Sequence, residues 1–183
     1  MSKPSEAAAD ETFLRDLHWI LKAWFGKRSW LIIPFDDTFK KEVRKAAHRL
    51  DPLSDLNIAD ACWDIDAITG RLWDAIDELR ITGEAARLVS GSKAIHHLLP
   101  ELAPPIDNEY SGKFSFYDRA IHRRNKGQRL EGDYFKVIFP SFVDLAQYLN
   151  SREDFRAYLG RGYNTSVTKT VDNAIIGYME AKA

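Results

Sequence analysis

Apolar residues recur every three or four positions along most of the chain, the spacing of helices that bury one face. Between Glu11 and Phe25 they fall at Phe13, Leu14, Leu17, Ile20, Leu21, Trp24 and Phe25, just ahead of Gly26, a natural helix stop. Residues 30–35 are apolar and β-branched enough for a strand, yet Pro34 disfavours a central one, so they read as a buried connector. Asp37 is placed to cap a helix over residues 38–50, ended by Asp51-Pro52. The longest stripe, Ile58, Ala61, Cys62, Ile65, Ile68, Leu72, Ile76 and Leu79, predicts one helix over residues 55–80. Short helices follow over 84–89 and 93–99, separated by Gly91-Ser92, with Pro100 closing the second. Asp107 is placed to cap one more turn, and the glycines and Asn125 within 112–133 predict a long polar loop. Phe135, Ile138, Phe139, Phe142, Leu145, Ala146 and Leu149 keep one helical phase through Pro140, which predicts a single kinked helix. Helices over 151–159 and 166–182 complete the chain, the last with Val167, Val171, Ala174, Ile175 and Tyr178 inward. The expected fold is all-α, a disordered leader over residues 1–10 and a single compact helical domain over 11–183.

Composition narrows the function classes. A chain of 183 residues with 45% hydrophobic content can bury a sizeable core without covalent staples. Its one cysteine, Cys62, excludes an internal disulfide and any zinc site built on several cysteines; lying on an apolar stripe, it reads as a buried structural thiol. A reducing, cytoplasmic setting is expected. No apolar run approaches the ~20 residues a membrane helix needs, so no membrane partner is expected. Nucleotide-binding glycine loops and the Gly-x-Ser-x-Gly elbow are both absent. His18, His48, His96, His97 and His122 include no pair three or four apart, and no metal or other cofactor is expected. Asp60, Asp64, Asp74, Asp77 and Glu78 read as a solvated acidic face, and Trp19, Trp24, Trp63 and Trp73 as core. A stacking platform would require several of those tryptophans to be exposed.

One stretch departs from ordinary helical patterning. Residues 89–108 combine a glycine turn at Gly91-Ser92, a lysine at the start of an apolar helix, a loop stiffened by Pro104-Pro105, and Asp107 at the head of the next helix. Gly91 would let the backbone approach a ligand closely, and amides after Ser92 would point from a helix N-terminus toward an anion, with Lys93 adding charge. This order resembles the helix-hairpin-helix DNA glycosylase superfamily, in which a Gly-x-Lys hairpin enters a helix and a Pro-hydrophobic-Asp follows. The resemblance implies that hairpin amides hold a DNA phosphate, that Lys93 attacks the sugar C1′, and that Asp107 activates the nucleophile or stabilises the cationic sugar. Val89 stands where that family has its first hairpin glycine, and Asp107 lies 14 positions after Lys93, a shorter interval than usual. The same order is similar to an uncharacterised bacterial helical family, which implies no activity. Without any ligand, Ser92 and Asp107 serve as helix caps and Lys93 as a solvated charge.

Charge adds a second feature. The whole chain is nearly balanced, 26 Lys and Arg against 27 Asp and Glu, but from 113 to 129 Lys113, Arg119, Arg123, Arg124, Lys126 and Arg129 face only Asp118. Phe114, Phe116, Tyr117 and His122 are interleaved, a mixture suited to phosphate contacts and base stacking. The expectation is a protein that binds nucleic acid, DNA or RNA, or another phosphate-bearing ligand through Gly91, Ser92, Lys93 and this basic loop. The alternatives are a protein-interaction module meeting an acidic partner, for example in a defence or toxin-antitoxin assembly, and a glycosylase/lyase-like enzyme using Lys93 and Asp107.

Overall fold

The computed structural model describes residues 3–60, 62–82, 87–107, 109–114 and 129–182, for residues 129 and 130 the backbone alone. The regular structure among them is helical, save one antiparallel bridge between Ile32 and Thr82. In chain order the helices are α1 (Pro4–Ala9), α2 (Glu11–Phe25), α3 (Asp37–Leu50), α4 (Ile65–Glu78), α5 (Arg87–Leu98), α6 (Ser111–Phe114), α7 (Arg129–Asn150), α8 (Glu153–Arg156) and α9 (Val167–Ala181). The protein is an all-α domain, as the apolar spacing predicts.

Local chemistry sets most boundaries. Asp10 accepts the Thr12 amide at 2.7 Å to cap α2, and Gly26, at φ +50°, ends it in a conformation that disfavours a side chain. A 3₁₀ turn, Gly26–Leu31, then leads to the Ile32 bridge, so the apolar stretch at 30–35 is a connector with a single pairing point. Asp36, rather than Asp37, caps α3, accepting the amides of Thr38 and Phe39. Part of the expected leader is helix instead. Ala8 is fully buried, the Arg44 guanidinium donates to its carbonyl, and the Ser5 amide donates to Asp51. Alanines carry too little hydrophobic signal for the sequence to announce that docking.

The long helix predicted over 55–80 begins only at Ile65. Asp64 caps it through the Ala67 amide, while ahead of it the Ile58 amide donates to the Glu101 carbonyl and the Trp63 indole donates to the Asn57 carbonyl. Ile58 is buried as expected, but by a turn whose apolar residues happen to match helical spacing. Cys62 lies in that turn and is exposed, so it is not a buried structural thiol. Of the acidic residues beyond it, Asp77 pairs with Arg87 at 3.0 Å and Glu78 with Arg49 at 2.7 Å.

The two short helices predicted around Gly91-Ser92 are one, α5, which runs through both residues. Gly91 serves close packing rather than a turn: a Cβ there would lie 2.9 Å from Ile76 Cγ2 and 3.3 Å from its Cα. α5 is buried on most sides, contacting α1, α2, α3, α4 and α7. α7 continues through Pro140 and brings in Phe135 and Phe139, stacked with centroids 5.5 Å apart. α9 turns Val167, Thr168, Thr170, Val171, Asp172 and Ile175 inward, leaving the predicted core residues Ala174 and Tyr178 exposed. Trp19 and Trp30 are 70% and 74% exposed, Trp24 39%, while Trp63 and Trp73 pack against the core. No described helix is long and apolar enough to cross a membrane.

The close α4–α5 crossing generates a paired prediction. Gly91→Ala forces a methyl into Ile76 and is expected to destabilise the protein by about 1–3 kcal/mol. Gly70→Ala, in an open stretch of α4, is expected to stabilise it by roughly 0.5–1 kcal/mol. Urea unfolding midpoints of the two variants check both signs.

Candidate functional site

Lys93 and Asp107, chosen from the sequence, do fall in one electrostatic cluster, although no turn at Gly91-Ser92 brings them there. Lys93 projects from the interior of α5, where its amine lies 4.7 Å from the centroid of the Trp24 indole at the end of α2. His97, one helical turn further along α5, packs against the same indole with centroids 5.5 Å apart. The loop after α5 returns because Ser92 Oγ accepts the Ile106 amide at 3.1 Å, which sets Asp107 beside the helix. Asp107 itself caps the following turn, accepting the amides of Glu109 and Tyr110 at 2.8 and 2.6 Å.

α9 supplies the other half. Thr168 Oγ1 donates to the Pro100 carbonyl, so Ser166 Oγ is the donor in its 2.9 Å bond to Thr168 while accepting the Lys169 amide. Glu101 accepts the Val167 amide and the Asn57 amide group, and burial raises its carboxyl pKa. These bonds fasten the first turn of α9 against the end of α5, which carries Lys169 and Asp172 to the cluster. The Lys169 amine meets Asp172 Oδ2 at 2.6 Å. Asp172 is 3% exposed, and its Oδ1 has no hydrogen-bond partner among the described residues.

The site's electrostatics follow from burial. Removal from water lowers the Lys93 pKa, and the charges of Lys169 and Arg28 lower it further, against the opposing pull of Asp107 and Asp172. Burial likewise raises the Asp172 carboxyl pKa despite Lys169 beside it. No described carboxylate lies within ion-pair distance of the Lys93 amine. Among the described residues no group of three or more His, Cys, Asp or Glu gathers as metal ligands.

The predicted anion cradle itself needs correcting. Gly91 and Ser92 are buried in mid-helix, so their amides belong to the α5 ladder and cannot point at a phosphate. Among the described residues α5 begins at Arg87, and there the Leu88 amide donates to Glu131 of α7 at 3.0 Å. A carboxylate of the protein itself meets that described end of the helix. Of the basic residues, Lys113 is on α6 and the backbone of Arg129 lies in α7; Arg119, Arg123, Arg124 and Lys126 lie outside the described residues. Trp24, Arg28, His97, Lys169 and Asp172 were missed. One signal pointed to α9, an aspartate at the buried phase of an amphipathic helix three residues after a lysine.

The buried histidine next to this site fixes an acid sensitivity. His96 Nδ1 bonds the Ala103 carbonyl at 2.8 Å, and burial lowers its pKa from 6.5 to about 4. The unfolded chain therefore binds the extra proton first, and the stability this neutral imidazole contributes is present above pH 6.5 and lost as pH falls toward 4. The loss is expected to be on the order of 3 kcal/mol. His96→Asn should flatten urea-derived stability across that range; an unchanged slope contradicts this account. No family model, no curated protein and no solved structure matches the chain.

Proposed function

We propose that the chain binds a phosphate-bearing ligand, most fittingly nucleic acid, at Lys93 and along the basic stretch from 113 to 129. The observation that carries this reading is Lys93: an amine drawn out of water, flanked by further cations, and without a close counter-ion among the described residues. Of the two carboxylates that act on it, Asp172 holds Lys169 through Oδ2 and Asp107 accepts two backbone amides. An incoming phosphate would supply the missing charge and recover much of the desolvation cost. Residues 113–129 carry six cations against one anion and begin on α6, directly after the loop that holds Asp107. That continuity favours an extended polyanion over a small phosphate.

A second reading rests on the lowered Lys93 pKa and its coupling to Asp107. A larger fraction of free amine suits nucleophilic attack on a sugar aldehyde, forming an imine with loss of water. This is the chemistry the glycosylase resemblance implies.

Fluorescence anisotropy with labelled single-stranded, duplex and abasic-site DNA and with RNA, across a salt series, tests the binding. Affinity is expected to fall steeply with salt, and Lys93→Ala or the double change of Arg123 and Arg124 to Ala to weaken it by roughly tenfold or more. Absence of binding at low salt, with stable co-purification of a protein, instead favours the interaction module. For the enzyme reading, borohydride should trap wild type but not Lys93→Ala on abasic DNA; no trapped adduct with wild type discards it.

A further inference from the structure

A concavity lies away from Lys93, between the end of α7, α8 and the far side of α9. It is a cleft of about 560 Å³, within the range of small-molecule sites. Its lining combines three chemistries. Tyr148 and Tyr158, 62% and 60% exposed, supply aromatic faces beside the buried Phe155. Arg152 supplies a cation whose nearest carboxylate, Asp154, is a loose 3.6 Å from its Nε, leaving the outer guanidinium nitrogens for another anion. Asn164 and Asn173 supply paired amides, with Asn173 Nδ2 donating to Asn164 Oδ1 at 2.8 Å.

That amide pair is informative because of what it leaves over. Once the bond between them is made, the Asn173 oxygen remains as an acceptor and the Asn164 nitrogen as a donor, neither with another partner among the described residues. One free amide donor and one free amide acceptor lining a cleft are the groups that a nucleobase edge, with its own donor and acceptor, can engage. Tyrosine faces offer stacking to the base plane, and a guanidinium suits a phosphate oxygen. A purely apolar ligand would leave the two amides and the arginine unmatched, and inorganic phosphate would leave the tyrosines unused.

We infer that this cleft binds a nucleotide unit, with the base against Tyr148 and Tyr158, its edge on the Asn164–Asn173 pair, and the phosphate at Arg152. The unit is either a free mononucleotide or one residue of a strand. The cleft's ligand does not depend on Lys93, and a failure of the polyanion reading leaves it standing.

Calorimetric titration with AMP, adenosine, ribose 5-phosphate and a short oligoadenylate distinguishes the sources. AMP is expected to bind more tightly than adenosine or ribose 5-phosphate alone. Binding of the oligoadenylate without AMP assigns the unit to a strand. Tyr158→Ala, an exposed position that leaves the core intact, and Arg152→Gln should each weaken the bound nucleotide by about tenfold, with circular dichroism confirming the fold. Failure of both AMP and oligoadenylate to bind, or affinities unchanged in both variants, overturns the assignment.

Discussion

The approach of α5 to α4 is the contact on which the site depends. Gly91 sits so close to Ile76 that a single methyl group would clash with its side chain and press tightly on its backbone. With that separation fixed, α5 is enclosed by helices, and the polar residues it carries must be satisfied from within the protein or from a ligand. Ser92 is satisfied by the Ile106 backbone and His96 by the Ala103 carbonyl, so the loop from 99 to 107 folds back along the helix. Two groups are left over: the Lys93 amine rests over Trp24 with no described carboxylate within ion-pair distance, and His97 Nε2 has no hydrogen-bond partner among the described residues.

A second set of bonds turns this half-site into a cluster. The first turn of α9 hangs from Pro100 through Thr168 and from Glu101 through the Val167 amide, both residues lying just past the end of α5. The same short connection therefore sets Asp107 and anchors the helix that brings Lys169 and Asp172. Burial opposes charge on Lys93 and on Asp172 alike, which narrows the gap between an amine and an acid that water would keep far apart.

The helices with sustained apolar spacing were legible from the residues: α2, α3 and α7 stand where the stripes put them, α7 even through Pro140. Misplacements came where spacing and chemistry pointed different ways. Ile58 and Cys62 fit a helical phase, but Asn57 and Asp64 are turn and cap formers, and the hydrogen bond of Ile58 to Glu101 decides the turn. At Gly91-Ser92 the same glycine satisfies a turn or a tight crossing. Only the position of Ile76, absent from local sequence, distinguishes the two.

By itself the sequence determined the all-α class and the absence of a long apolar span among the described helices, because periodicity is a local property. Tertiary structure decided everything that depends on distant segments meeting. It closed the expected phosphate cradle by running α5 through Ser92, and it set Glu131 at that helix's described end. It also added Trp24, Lys169 and Asp172 to the site, since burial and Coulomb coupling are set by which helices pack together, and no spacing along one helix encodes that.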